Sequence, residues 1–508
     1  MKNKTGILTA LLLVGMALMI PCYLFTAGNT LFSPWELYNR NRIVLFVLTA
    51  LCTAGLLVAL RAADRHEDFC LKHEKTMLIG AAIFYLAVQM VMGMLLRYDP
   101  RTDAEQCFTA AKLIVDTGTF GNVERPWVYF TRYPFNLGFV YLLAGIFRFF
   151  GLIGWADCYM QAVLMSSLLF TVGLVCAARA ARRMGGAKAQ AKLLLLFASC
   201  LPFLYCTAEL YTDAFSLAFP LITLYLYGKL KDAQTVKARV GFAALFALCA
   251  FAGSQIRFTA VVAVIACVLA LVFEKKLRAA AICSVLTICV LTAGGAMVDR
   301  YTYANHLTEE DVIRNELPRL HHIAMGLPVQ ADEGYGQYGE GGWLIFSTSF
   351  EDPQERSEAL LREVIDRVYY LRVPSRLIHM MSRKLISTFG NGTFLLNEII
   401  EADAPQPDNA VKQVIFETGA LYPAYYHLCT AMFAAHMILA CAACAQAVWK
   451  RRTDAAPVFI ALLGIFMVLC MWETRGRYFF QYQPVLLLAA AMMEAGHARG
   501  AQMMKLDA

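Results

Sequence analysis

Charge is scarce in this chain. Only 16% of its 508 residues are Asp, Glu, Lys or Arg, where soluble domains carry about 25%. That scarcity excludes an ordinary soluble globular protein. The net charge of +7 is correspondingly thin and sits in short loops between apolar blocks. There it serves orientation, so no nucleic-acid partner is expected. No internal repeat is present, and no soluble domain stands at either end. Metal-type spacing of histidines is missing too: His321 and His322 are adjacent, which points their side chains apart, and His379 stands alone. The sixteen cysteines fall mostly inside apolar runs. Cys441 and Cys444 are read as core packing within one span, and no disulfide framework is expected.

What is abundant is apolar sequence. Hydrophobic residues make up 59% of the chain, the mean hydropathy is +0.53, and the apolar residues fall in blocks. Those that meet the length needed to cross a hydrocarbon core of about 30 Å are 7–27, 43–61, 77–96, 155–181, 192–208, 213–229, 240–255, 257–273, 279–298, 423–448, 456–472 and 478–495. The expected fold is therefore an all-α polytopic membrane protein with about twelve transmembrane helices, outer-face interfacial helices and one large extracytoplasmic loop region. The stretch after the opening MKNK exceeds a usual signal-peptide apolar core, so it is expected to remain as a first span.

Basic loops set the phase. Arg182, Arg183, Lys188 and Lys192 form one, Lys229, Lys231, Lys237 and Arg239 a second, Lys275, Lys276 and Arg278 a third, and Lys450, Arg451 and Arg452 a fourth. With both termini cytoplasmic, all four face the cytoplasm as the positive-inside rule asks. That phase holds only if 134–150 does not cross. It is read as a helix in the outer interface with Arg148 reaching water, and 104–115 as a second helix of the same kind. The chain then divides into an N-terminal hairpin (1–76), a transmembrane core (77–298, with outer loop 97–154), an outer region (299–422) and C-terminal helices (423–508). Within the outer region a helix is expected over 355–371, and 377–395 reads as interfacial.

Three groups of residues could carry chemistry at the outer rim, where unpaired charge is costly. Asp99, Asp103 and Glu105 follow an early span. Asp103 either caps the helix that follows or acts as a general base. Glu209 and Asp213 stand at the end of one span and the start of the next, where they could cap, orient a sugar or hold a divalent cation. Glu473, Arg475, Arg477 and Tyr478 lie between the last two spans. The bland reading is a Glu473–Arg477 salt bridge, and the functional one is an anion site, since arginine forks suit phosphate. Lys384 also falls outside in this phase.

The order of these elements resembles the GT-C superfamily of membrane glycosyltransferases, in the branch of protein O-mannosyltransferases and lipid A aminoarabinose transferases (family 39-type, bacterial). The likeness rests on Asp103 followed by Gly118, on Tyr133-Pro134-Phe135-Asn136, on the basic glycine turn ARRMGG (181–186), on Tyr211-Thr212-Asp213, and on Glu473 with Arg477-Tyr478. It covers 75–275 and 455–495. The acidic pair common in that family is missing, because Ala104 follows Asp103.

The resemblance implies an enzyme of the bacterial cytoplasmic membrane. Such an enzyme moves a sugar from a polyprenyl-phosphate donor to an acceptor hydroxyl of an extracytoplasmic glycan, lipid or protein. In that reading Asp103 is the base, and Arg475, Arg477 and Lys384 meet the donor phosphate. Asp213, Glu209, Glu105 and Asp99 orient substrate or hold Mg or Mn. No cofactor is otherwise implied. A carrier or flippase for lipid-linked sugars, or a glycan polymerase or ligase, would use a similar rim.

Overall fold

The computed structural model describes residues 2–33, 41–330, 333–401 and 407–494. The C-terminal tail 495–508, assigned above to the cytoplasm, lies outside the described residues. Every regular element among those described is helical. Among the described residues eight helices are long and apolar enough to cross a membrane: Gly6–Phe32, Arg42–Arg65, Glu67–Leu95, Pro134–Leu152, Cys158–Ser199, Val236–Ile256, Leu277–Asn305 and Tyr422–Trp449. Phe258–Phe273 and Ala456–Met471 are shorter apolar helices.

By length and composition eight helices qualify as spans where about twelve are expected, with Cys158–Ser199 counted once among the eight. The difference has a backbone cause. The block 192–208 ends in two 3₁₀ turns, Leu201–Leu204 and Cys206–Ala208, the first containing Pro202. The block 478–495 opens as the 3₁₀ helix Gly476–Tyr482 and continues as the nine-residue helix Gln483–Ala491. At about 2.0 Å rise per 3₁₀ residue and 1.5 Å per α residue, this pair still extends about 27 Å. Tightly wound stretches thus supply reach that the sequence suggests would come from single long helices.

Cys158–Ser199 is not one rod. Gly185 and Gly186 leave helical geometry, Gly186 with φ +76°, a region open to glycine without steric cost. The rings of Phe170 and Phe197, on either side of this break, lie 6.2 Å apart, where a straight helix would separate them by about 40 Å. The chain doubles back at the glycine pair, as the two apolar blocks flanking ARRMGG require.

Charge pairing then defines one end of the bundle. Arg182 meets Glu74 at 2.5 Å, Arg183 meets Asp232 at 2.6 Å, and Lys231 meets Glu274 at 2.5 Å. Arg452 donates to the Met184 carbonyl at 2.6 Å. The four basic loops therefore gather at one end.

Glu67–Leu95 is 29 residues long, about 44 Å, and its far end leads to Arg97, which is paired with Asp157 at 2.7 Å. At that opposite end Gly138 packs on Gln255, where a Cβ would stand 2.5 Å from the Gln255 carbonyl oxygen. Residues on both sides of the Leu137–Leu152 helix thus meet the same end of the bundle. Phe108 packs on Phe147 at 5.1 Å, and Arg148, exposed, donates to the Ile114 carbonyl at 3.2 Å. Through these contacts Leu137–Leu152 lies against Thr102–Thr117, which ends at Gly118 with φ +87°.

Among the described residues, 306–422 form a set of shorter helices folded onto this same end. Pro353–Leu371 is capped by Asp352, which accepts from Gln354 N at 2.8 Å. Pro374–Phe389 packs on the first long helix, with Asn29 donating to the Ser382 carbonyl at 2.9 Å and Tyr23 6.4 Å from Phe389.

Candidate functional site

Four separate stretches converge at the end away from the basic loops. The helix Thr102–Thr117 brings Asp103, the segment before Thr212–Ser216 brings Tyr211, the turn before Phe258–Ala260 brings Arg257, and Gly476–Tyr482 brings Arg477. Arg477 occupies the middle. Its Nη2 is 3.8 Å from Asp103 Oδ2 and its Nε is 3.7 Å from Asp213 Oδ2. Arg257 Nη1 donates to the other Asp213 oxygen, Oδ1. Both guanidinium groups stack near aromatic rings: Arg477 is 5.2 Å from the Tyr211 centroid and Arg257 5.0 Å from that of Tyr478.

Accessibility orders these residues from surface to depth. The Asp103 side chain is 44% exposed, Arg477 and Arg257 are each 15% exposed, and Asp213 is fully buried. A substrate can therefore touch Asp103 and graze the arginines, while Asp213 serves to hold them.

Neither aspartate is a helix cap. The residue before the Thr102–Thr117 helix is Arg101 and the one before Thr212–Ser216 is Tyr211, and neither Asp103 nor Asp213 caps through its side chain. Glu209 takes that role for the second helix by accepting from Ala214 N at 3.3 Å. Burial, then the neighbouring Asp213 charge, pushes the Glu209 pKa well up. Thr102, immediately before Asp103, has φ +53°, a genuine outlier for a β-branched residue.

Asp103 has its own supports. Tyr211 OH donates to Asp103 Oδ2 at 3.5 Å, and Asn136 Nδ2 donates to Tyr129 OH at 2.8 Å and to Tyr211 OH at 3.4 Å. The Tyr129 hydroxyl also stands near enough to Asp103 to favour its carboxylate. Pro134 opens the 3₁₀ turn that ends in Asn136, so this motif positions two tyrosines on one carboxylate. Burial raises the Asp103 pKa above the ordinary value, and the nearby Arg477 charge and the tyrosine hydrogen bonds offset this only in part.

The remaining expected residues fall elsewhere. Glu473 does not bridge to Arg477. It accepts from Tyr478 OH and pairs with His322 Nδ1 at 3.2 Å. Burial works against its charge, but the His322 contact and the Tyr478 bond hold its pKa below the usual range. Arg475 is committed to Glu398 through both oxygens and to Gln337 at 2.5 Å. Lys384 is buried and donates to the carbonyls of Gly326 and Trp472, at 2.5 Å for the latter. Burial lowers its pKa to about 7. Arg475 and Lys384 thus tie the outer region to the Glu473 loop. Glu105 pairs with Arg125 at 2.9 Å, and Asp99 is exposed. Tyr133 OH shares a hydrogen bond with Tyr338 OH at 2.8 Å.

Among the described residues no three of His, Cys, Asp and Glu stand together as metal ligands. The space between Asp103 and Asp213 holds the Arg477 guanidinium instead.

Arg257 belongs to none of the sequence motifs above. A signal existed: it is the one charged residue between Arg239 and Glu274, and a lone charge in apolar sequence marks a paired, functional position.

The family model described as conserved hypothetical integral membrane protein matches residues 6–497. The chain belongs to that family. As an integral membrane protein of this family it places its long apolar helices in a bilayer, with the Asp103 cluster at one end of them. No curated protein is significantly similar to the chain. Among solved structures, ArnT from Cupriavidus metallidurans bound to undecaprenyl phosphate is similar, with 13% identity over 82% of this chain and 77% of that one and a TM-score of 0.37.

Proposed function

We propose that the protein is a membrane glycosyltransferase working at the extracytoplasmic rim. It would move a sugar from a polyprenyl-phosphate donor to an acceptor hydroxyl. The observation that carries this reading is a half-exposed carboxylate, Asp103, set 3.8 Å from a guanidinium that is itself anchored to a buried aspartate. A base and a fixed positive charge side by side match what displacement at a phosphate-linked carbon needs. The order of motifs that resembles the GT-C superfamily supplies the donor class.

The chemistry balances as follows. The acceptor O–H gives its proton to an Asp103 carboxylate oxygen. Its oxygen attacks the anomeric carbon from the face opposite the leaving group, forming the new C–O bond. The old bond to the phosphate oxygen breaks with its electron pair, so the configuration inverts and polyprenyl phosphate leaves. Arg477, with Arg257 behind it, meets the charge that develops on that phosphate. Groups already oriented toward developing charge contribute strongly because they need no reorganisation. The raised pKa of Asp103 strengthens it as a base. Tyr129 and Tyr211 hold its carboxylate in place. In this reading Leu137–Leu152, which meets the site end on both sides, would lie in the outer interface beside a lipid donor. The region 299–422 contacts the residues that flank the site, Glu473, Tyr133 and Arg475, through His322, Tyr338, Gln337 and Glu398, a position suited to acceptor recognition.

The test is sugar transfer from a panel of radiolabelled polyprenyl-phosphate monosaccharides, with membrane extract as acceptor. Wild-type protein should transfer from one donor and D103N should not. Tight donor binding with no transfer from any donor would reject the enzyme in favour of a carrier.

A further inference from the structure

The end of the bundle opposite Asp103 contains a cavity of about 370 Å³. That is within the size range of small-molecule sites, and the proposed chemistry has no use for it. Its walls come from three helices: Arg179 and Arg183 from Cys158–Ser199, Leu224 and Lys229 from Ala218–Asp232, and Val458 from Ala456–Met471. Gly228 permits the close approach of two of them, since a Cβ there would lie 2.9 Å from Arg183 Cδ.

The lining is unbalanced in charge. Four cations, Arg179, Arg182, Arg183 and Lys229, face two carboxylates, Asp232 and Asp454. Arg183 is held by Asp232 at 2.6 and 2.7 Å, Arg182 is held by Glu74 at 2.5 Å, and Asp454 is paired with Arg452 at 3.2 Å. Neither Arg179 nor Lys229 makes an ion pair among the described residues. Lys229 Nζ instead stands 5.5 Å from the Tyr225 ring centroid. Two cations are therefore left to meet an anion. Leu224, Met184 and Val458 make the rest of the wall apolar. A cationic rim over an apolar wall, at the end of membrane helices, matches a phosphate head group whose chains continue into the bilayer.

We infer that this cavity binds the phosphate of an anionic phospholipid, at a site separate from the Asp103 cluster. A soluble phosphate compound shares that chemistry, and the two sources are separable.

Full-length protein purified in a neutral detergent is titrated with dioleoyl-phosphatidylglycerol, dioleoyl-phosphatidylcholine or sodium phosphate. Lipid retention is read by native mass spectrometry and stabilisation by thermal unfolding. The phosphatidylglycerol is expected to be retained and to raise the unfolding midpoint. Its affinity should fall about fivefold in R179Q and about fivefold again in R179Q/K229Q. R179K preserves the charge and should keep most of the binding, which separates loss of a phosphate contact from loss of folding. Unchanged retention in the double variant would overturn the site. Equal retention of the phosphatidylcholine would overturn the anionic requirement. Sodium phosphate that stabilises as well and displaces the lipid would overturn the lipid source.

Discussion

The guanidinium of Arg257 is seated on the fully buried carboxylate of Asp213. The same carboxylate carries Arg477 on its other oxygen at 3.7 Å. One hidden acid thus orients two positive groups toward the rim, where Asp103 is open to substrate.

That arrangement separates two aspartates by their expected phenotypes. Removing one partner of a buried pair costs about 3–5 kcal/mol. D213A should therefore lower the unfolding midpoint strongly, while D103N, half-exposed, should shift it little. Equal midpoints for the two variants would contradict the anchoring role of Asp213.

Turnover should divide differently. D103N should lose a factor of about 10²–10⁴ in transfer, the usual worth of a general base, with donor binding retained. R257K keeps the charge but loses the planar fork, so it should weaken donor use more than acceptor use. Steady-state kinetics with donor and acceptor varied in turn would read this, and parallel effects on both would leave Arg257 a purely structural partner.

The pH profile should carry the signature of Asp103. Its pKa is raised by burial, and only the carboxylate can accept a proton. Activity should therefore fall on acidification with a midpoint above the ordinary Asp value of about 3.9. Conversely, the raised pKa means the native state holds this proton more tightly than the unfolded chain. Asp103 thus costs stability as pH rises through that window, and D103N should remove that slope.

Lys384 predicts a second pH effect, on stability alone. Burial lowers its pKa to about 7, against about 10.4 in an unfolded chain. Between those values the unfolded chain binds the extra proton, so stability should rise with pH across that window. In K384M the slope of unfolding midpoint against pH from about 7 to 10 should flatten.

Chelation should leave transfer unchanged, because Arg477 occupies the space a cation would need between Asp103 and Asp213. Loss of activity with EDTA, restored by Mg or Mn, would require these side chains to rearrange.

The amino-acid sequence by itself determined the membrane class, since low charge and long apolar blocks leave no other solvent for the helices. It also determined that the basic loops belong together and that Asp103, Tyr211, Asp213 and Arg477 lie at ends of apolar segments. These are local properties of composition and order, readable along a chain. The tertiary structure alone decided which charges meet. It spent Arg475 and Lys384 on Glu398 and on backbone carbonyls, gave Glu473 to His322, and brought Arg257 to Asp213. It likewise shortened several expected spans through 3₁₀ winding and laid Leu137–Leu152 against the site end. Ion pairing and burial act through space between segments far apart in the chain, so neither periodicity nor spacing could have assigned them.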